Sequence, residues 1–387
     1  MDGQALLDYL RPRRKAMLDA LEELVGRESP SRDKPALDAL ARSIGATFTQ
    51  LGGAVEIVAN EAGGDHVVAR FGSSRPIDVR PALVLGHFDT VWPAGTLTRS
   101  PFRIEDGRAF GPGTFDMKAS LVLIVEALAA LRALAVPLPR PVVVVLTSDE
   151  EIGSPTSREL IELEARDCVY ALVLEPPLPG GLLKTARKGT GGYLIEVEGR
   201  AAHAGVEPEK GLSAIRELAH QILKVYELAR PEVGTTINVG VVAGGTAANV
   251  VAAYASAQVD VRIGTRDEAQ RVDEAIRALI PRAPGARVVV SGGLNRPPME
   301  RTERTAALFE QARRLGATLG LDLAEGATGG ASDGNFTAAL GIPTLDGLGA
   351  EGAGAHAADE HILIDSLPER AALLATLLLG LEPPAPP

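Results

Sequence analysis

The chain has 387 residues, of which 45% are hydrophobic and 23% charged, a composition typical of a globular protein long enough for two domains. Its net charge of −11 argues against nucleic acid or an anionic membrane as the main partner, because both require a basic face. The single cysteine excludes an internal disulfide. No apolar run is long enough to span a bilayer and the first residues lack a signal-peptide core, so we expect a cytoplasmic protein.

Helices and strands alternate through the first part of the chain. Apolar periodicity predicts helices over 13–27, 34–52, 117–135 and 155–166. The predicted strands cover 54–59, 66–71, 82–87, 141–147 and 170–175. Strands that alternate with helices predict an α/β domain whose central sheet is mostly parallel and flanked by helices.

A different pattern begins near Lys184. It has strands over 192–199, 235–243, 251–263 and 287–291, with helices over 211–229 and 266–280. This β-α-β-β-α-β order is that of a split, ferredoxin-like α+β domain. Because the first pattern resumes with a helix over 302–319, we predict that residues 187–296 are inserted between two parts of the larger domain, 1–186 and 297–387.

Acidic groups and histidines follow the predicted strands. In open α/β sheets, ligands bind at the carboxyl ends of the strands. These ends lead to His87 and Asp89, to 148-SDEEIGS-154, to Glu175 and to 350-AEGAGAHAADEH-361, while Asp116 begins the long helix. Histidines and carboxylates without sulfur suit zinc, cobalt or manganese.

The motifs GHFDTV, GPGTFDMK, TSDEEIGS, LEP, AHAG and GAGAHAADE occur in this order over nearly the whole chain. The set resembles the co-catalytic zinc metallopeptidase family of glutamate carboxypeptidases, aminoacylases, acetylornithine deacetylase and succinyl-diaminopimelate desuccinylase. The resemblance implies an enzyme with a zinc aminopeptidase-like catalytic domain and an inserted dimerisation domain. It also implies two Zn²⁺ per chain, with Co²⁺ or Mn²⁺ as substitutes.

The resemblance implies a role for each motif residue. The metal ligands are His87, Asp116, Glu151, Glu175 and His356, with Asp116 shared by both metals and joined to Met117 by a cis peptide bond. Glu150 takes the place of the general base, and Asp89 that of the carboxylate that orients His87. Such an orienting group fixes the histidine tautomer, and a shared anion is needed because cations ~3.5–4 Å apart repel. Because the resemblance implies attack by a metal-activated water, we expect no covalent acyl-enzyme.

The predicted insert carries further candidates. His203, in 199-GRAAHAGVEPEKG-211, resembles the family's histidine that reaches the active site of a partner subunit and donates to the oxyanion. The resemblance therefore implies a homodimer formed through the insert. By the same resemblance, Asn249 and Arg262 bind the substrate. The remaining histidines, His66, His220 and His361, match no motif and are predicted to be structural, and Trp92 is given no role.

Three features favour a glutamate carboxypeptidase-like member: Lys188 in TARKGTGG, the run AHAGVEPEKGLSA, and Arg296 as a second guanidinium. We expect cleavage of an amide bond before a C-terminal amino acid with a free carboxylate, glutamate being favoured, in a small peptide or N-acyl amino acid. One alternative keeps the metals and acts on N-acetyl or N-succinyl amino acids. A second is a metal-binding protein without catalysis, against which the presence of Glu150 and His203 argues.

Overall fold

The computed structural model of the protein describes residues 3–72 and 79–385. The chain divides into two compact units. Unit 1 comprises Met1–Ala186, Arg301–Thr328 and Ser332–Pro387. Unit 2 comprises Arg187–Glu300 and Gly329–Ala331.

Both units are built from short elements. In chain order the helices are α1 (Gly3–Leu10), α2 (Arg14–Val25), α3 (Lys34–Gln50), α4 (Ala119–Ala133), α5 (Arg158–Ala165), α6 (Ala214–Tyr226), α7 (Arg266–Arg277), α8 (Glu303–Ala317), α9 (Gly334–Ala339) and α10 (Ser366–Gly380). The strands are β1 (Ala54–Val58), β2 (His66–Phe71), β3 (Ala82–His87), β4 (Arg103–Glu105), β5 (Arg108–Phe110), β6 (Val142–Thr147), β7 (Ala171–Val173), β8 (Leu183–Arg187), β9 (Gly189–Glu198), β10 (Thr236–Gly244), β11 (Tyr254–Ile263), β12 (Arg287–Arg296), β13 (Glu325–Thr328), β14 (Thr344–Leu345), β15 (Gly352–Ala353) and β16 (His361–Leu363).

The central sheet of unit 1 has the order β1-β2-β6-β3-β7-β14. Strands β6, β3, β7 and β14 are parallel, whereas β1 and β2 are antiparallel to their neighbours. The predicted α/β class with a mostly parallel sheet is therefore confirmed. The parallel strands bring their carboxyl ends to one edge, where His87 is paired in register with Thr147.

Both faces of this sheet are covered. Along β3, Ala82 and Val84 belong to the core on one side, and Leu83 and Leu85 to the core on the other. Helices α4 and α10 are buried along most of their length in the first core. The sole cysteine, Cys168, is buried in the second. Two-sided burial explains why β3 and β6 are apolar up to their last residues, His87 and Thr147.

Unit 2 has the element order β9-α6-β10-β11-α7-β12 and an antiparallel sheet of order β10-β11-β9-β12. This is the ferredoxin-like arrangement expected from the sequence. Ser213 and Thr265 cap α6 and α7 by accepting hydrogen bonds from backbone N–H groups in the first turns. The unit extends beyond the predicted boundary at residue 296 to Glu300, and its dimerising role stays a prediction.

A small sheet of order β15-β16-β5-β4 was not predicted, nor were α1, α9 and α10. Its strands are two or three residues long, too short to show a periodic pattern. The pairing of β16 with β5 holds the segment after β15 against the loop that precedes α4. Among the described residues, no helix is both long and apolar enough to cross a membrane.

Candidate metal centre

His87 is the last residue of β3 and is 1% exposed. Its Nε2 atom lies 3.2 Å from Asp116 Oδ1 and 3.5 Å from Glu175 Oε1. On the other side of the ring, Nδ1 lies 3.1 Å from the backbone oxygen of Asp89 and 3.3 Å from its Oδ1. One nitrogen therefore faces the acidic cluster while Asp89 holds the other.

Asp116 lies between the two histidines of the cluster. Its Oδ1 faces His87, and its Oδ2 lies 3.3 Å from His356 Nε2. The peptide bond from Asp116 to Met117 is cis, as the resemblance implies. The preceding turn needs glycine at Gly113, where φ is 71° and a Cβ atom would lie 2.6 Å from a methyl carbon of Thr90. A carboxylate with one oxygen toward each histidine can be shared by two cations.

Glu150 and Glu151 follow β6 in a short turn that Asp89 holds. Asp89 Oδ1 accepts the backbone N–H of Glu150 and Oδ2 that of Glu151, both at 3.2 Å. Asp89 also accepts from Ser31 Oγ at 2.7 Å. The sequence reasoning gave Asp89 only the orientation of His87; its hold on this turn had no sequence signal, because it depends on which backbone groups face a buried carboxylate.

The remaining two ligand candidates come from separate segments. Glu175 follows β7 and is 8% exposed. His356 lies between β15 and β16, with φ of 64° and a side chain that is 50% exposed. Its Nε2 is 3.2 Å from Glu151 Oε2. The cluster thus joins five segments of unit 1.

The electrostatics of the cluster favour a cation. Burial lowers the pKa of His87, but hydrogen bonds to Asp116, Asp89 and Glu175 outweigh it and raise that pKa well above its usual range. Hydrogen bonds to Asp116 and Glu151 raise the pKa of His356 to about 10. Burial raises the pKa of the Glu151 carboxyl. The carboxylates of this cluster thus raise the pKa of both imidazoles, which reflects a concentration of negative charge that a bound cation would balance.

The donor set fits two divalent metal ions. Ligand atoms of His87, Glu150 and Glu175 lie within 4.8 Å of one another, as do those of His87, Asp116 and Glu151. Within the described part of the chain, the buried Oε1 of Glu151 has no hydrogen-bond partner. A buried, unsatisfied carboxylate oxygen is costly unless a cation or water completes its shell. Nitrogen and oxygen donors without sulfur are those of zinc, cobalt or manganese sites.

Residues 83–380 match the sequence model of peptidase family M20/M25/M40. The chain belongs to this family. It is 30% identical to carboxypeptidase G2 of Pseudomonas sp. (strain RS-16), covering 95% of this chain and 89% of that one. It is 29% identical to succinyl-diaminopimelate desuccinylase of Dechloromonas aromatica (strain RCB), covering 85% and 89%. These similarities confirm the family read from the motifs and an enzyme of the metallopeptidase or amidohydrolase type.

The fold is also that of a solved aminopeptidase. The crystal structure of aminopeptidase PepT from Bacillus cereus ATCC 10987 aligns with a TM-score of 0.77 at 24% identity, covering 94% of this chain and 98% of that one. At that identity the likeness shows the fold alone.

The other predicted site residues of this M20/M25/M40 chain belong to unit 2. The loops of His203 and Asn249 are neighbours, since the N–H of Ala204 donates to the backbone oxygen of Asn249 at 2.9 Å. The Arg262 guanidinium donates twice to Asp260, at 2.9 and 3.0 Å, so a substrate carboxylate would share or displace that partner. Arg296 ends β12 and is 7% exposed, and Lys188 lies between β8 and β9. Their roles stay predictions.

Two of the residues read as structural or without a role have defined partners. His66 is 2% exposed and contacts the Oγ atom of Ser148 at 3.1 Å and that of Thr156 at 3.2 Å. The indole of Trp92 donates to Glu360 Oε2 at 2.7 Å. Glu360 itself was missed, because a glutamate in an Asp-Glu pair has the sequence signature of a solvated surface residue.

Proposed function

We propose that the protein is a dinuclear zinc hydrolase that cleaves an amide bond before a C-terminal amino acid with a free carboxylate, as a glutamate carboxypeptidase does. The observation that carries this proposal is the convergence of two histidines and four carboxylates from five segments of unit 1. The similarity to a carboxypeptidase over 95% of the chain supports the subgroup.

Five residues would hold the ions: His87, Asp116, Glu151, Glu175 and His356. Bound zinc supplies Lewis acidity, which polarises the scissile carbonyl and makes water a stronger acid. A carboxylate oxygen of Glu150 takes a proton from the attacking water and returns it to the nitrogen of the leaving amine. Asp89 holds both the His87 ring and the backbone of Glu150, so one buried carboxylate sets the geometry of a ligand and of the base.

Unit 2 would supply the rest of the site in a homodimer. His203 of one subunit donates to the developing oxyanion in the other, and Asn249 binds the substrate carbonyl. Arg262, Arg296 and Lys188 provide positive charge for the substrate carboxylate on an otherwise acidic protein. The dimer and the cytoplasmic location rest on the family resemblance and on the sequence reasoning.

A second function keeps the same centre and changes the acyl group. The 29% identity to a succinyl-diaminopimelate desuccinylase over 85% of the chain favours an N-acyl amino acid deacylase. The proton transfer by Glu150 would be the same in both reactions, because each hydrolyses an amide. Only the groups that bind the acyl part and the amino acid would differ.

The test combines metal content with a substrate panel. The purified protein is assayed by mass spectrometry for bound metal, and on N-benzoyl-glutamate, N-acetylornithine and N-succinyl-diaminopimelate. About two metals per chain with turnover of the glutamate amide supports the first proposal. Two metals with turnover only of the acylated amino acids moves the function to deacylation. No metal and no turnover after zinc or cobalt is added would refute the centre.

Glu150→Gln tests the role of Glu150 as the base. It should lower kcat by about 10²- to 10⁴-fold, because it removes the proton acceptor while leaving every ligand in place. Metal content should stay at the wild-type value. Unchanged kcat would contradict the assignment of Glu150 as the base.

A further inference from the structure

Glu360 lies four positions after His356 and is 2% exposed. Its carboxylate accepts four N–H groups. Oε1 accepts from the backbone of Phe115 at 2.9 Å and of Asp116 at 3.0 Å. Oε2 accepts from the backbone of Gly113 at 2.9 Å and from the indole of Trp92 at 2.7 Å. The two oxygens therefore have no capacity for another strong donor.

Three of these four groups belong to the turn that ends at Asp116. The backbone oxygen of Glu360 also accepts the N–H of Gly111, at 3.2 Å, at the start of the same turn. The backbone of residues 111–116 is thus held by hydrogen bonds to a single glutamate that is more than 240 residues away in the chain. The next residue, His361, begins β16, whose pairing with β5 holds this glutamate in place.

This arrangement ties two ligand candidates together. His356 is carried by the same β15–β16 segment as Glu360, and its Nε2 lies 3.3 Å from Asp116 Oδ2. One end of the segment presents an imidazole to Asp116, and the other end holds the backbone of Asp116. Their spacing is thereby set by a stretch of five residues and not by the long chain between them.

We infer that Glu360 is a positioning residue of the metal centre, which fixes the Asp116 turn against the segment that carries His356. The inference rests on the proposed metal-binding function and adds to it a residue that touches neither metal nor substrate. Groups that orient metal ligands in this way typically contribute about 10- to 100-fold to metal affinity.

Glutamine cannot replace Glu360 without loss. Its amide has one oxygen, which serves either the pair Phe115 and Asp116 or the pair Gly113 and Trp92. Its NH₂ group then faces two donors. Trp92→Phe is the milder change, because it removes one of the four bonds, keeps an aromatic ring and leaves the three backbone bonds intact.

Unit 2 offers a matched control in Glu217. This carboxylate is 1% exposed and accepts the backbone N–H groups of Arg282 at 2.8 Å and Ala283 at 2.9 Å, as well as Gln221 Nε2 at 2.6 Å. Glu217→Gln therefore removes the same kind of backbone cap from a segment without ligand candidates. It should lower thermal stability but leave metal binding unchanged.

The experiment measures zinc affinity by chelator competition and the visible absorption of the cobalt-loaded protein for the wild type, Glu360→Gln, Trp92→Phe and Glu217→Gln. We expect zinc affinity to fall about 10- to 100-fold in Glu360→Gln, with an altered cobalt spectrum, and to stay within about 2-fold of wild type in Glu217→Gln. The zinc affinity of Trp92→Phe should lie between those of Glu360→Gln and Glu217→Gln. If Glu360→Gln does not fold, Trp92→Phe alone decides the test.

Two results would overturn the inference. If Glu360→Gln, or Trp92→Phe in its place, binds zinc as the wild type does while the wild type binds two ions, the centre stands and the positioning role fails. If the wild type itself binds no metal, both the proposed function and the inference that rests on it are wrong.

Discussion

Replacing Asp89 by asparagine converts one oxygen of a fully buried carboxylate into an amide nitrogen. In the native protein Oδ1 accepts the backbone N–H of Glu150, and Oδ2 accepts that of Glu151, both at 3.2 Å. Whichever way the amide turns, one of these N–H groups faces an NH₂ group and loses its acceptor. The turn that carries the proposed base is therefore displaced, while the side chains of the cluster are unchanged.

The magnitude follows from a single lost bond. A hydrogen bond to a charged acceptor contributes about 1.5–3 kcal/mol, and about 1.4 kcal/mol corresponds to a factor of ten in rate. We therefore expect kcat/KM to fall about 10- to 100-fold. At saturating zinc, the zinc content should stay near two per chain, because every ligand side chain is retained and His87 Nδ1 keeps the backbone oxygen of Asp89 as an acceptor at 3.1 Å.

The assay is kcat/KM on the best substrate together with zinc content. Asp149→Asn is the control, because Asp149 is also buried and its carboxylate accepts from Thr156 and Ser157. It should lower stability with less than about 3-fold effect on kcat/KM. An Asp89→Asn enzyme within 2-fold of wild type, roughly the error of the assay, would refute the reasoning on the turn, and complete loss of zinc would refute the reasoning on His87.

Three further outcomes are expected. His203→Ala should lower kcat by about 10²- to 10³-fold, and mixing it with Glu150→Gln should restore about a quarter of wild-type activity if the histidine acts across a symmetric dimer; no recovery on mixing would contradict that. Hydrogen bonds from Arg271 hold the pKa of Glu268 at about 2, below its usual 4.5. Glu268→Gln should therefore reduce the free energy of unfolding by a constant amount above about pH 5, and by less as the pH falls toward 2. Urea titrations in which the difference between the two proteins grew on acidification would contradict this. Burial raises the pKa of Cys168 to about 12, so a thiol reagent at about pH 8 should modify it only after denaturation, and rapid labelling of the native protein would be the contrary result.

The sequence allowed the ends of strands to be located, and with them the site. Because β3 and β6 are covered on both faces, their apolar runs stop where the chain reaches the edge of the sheet. His87 ends β3, and Glu150 lies just beyond the end of β6. The same logic located Glu175 after β7. The motif resemblance added the separate roles, which no pattern of burial distinguishes.

The contacts of Asp89 and Glu360 could not be read in that way. Both depend on backbone N–H groups, which every residue carries and which leave no trace in the sequence. The small sheet that holds Glu360 has strands of two or three residues, shorter than any periodicity can reveal. Trp92 and its hydrogen-bond partner Glu360 are 268 positions apart in the sequence, so only the folded structure brings them together.

The order of the site residues along the chain also determines when the cluster can be assembled during synthesis. His87, Asp116, Glu151 and Glu175 all leave the ribosome before unit 2, whereas His356 emerges after it. Domains generally fold as units, and unit 1 includes Arg301–Thr328 and Ser332–Pro387, so it is complete only after unit 2 has emerged. A chain that stalls within unit 2 therefore lacks His356, one of the two histidines of the cluster.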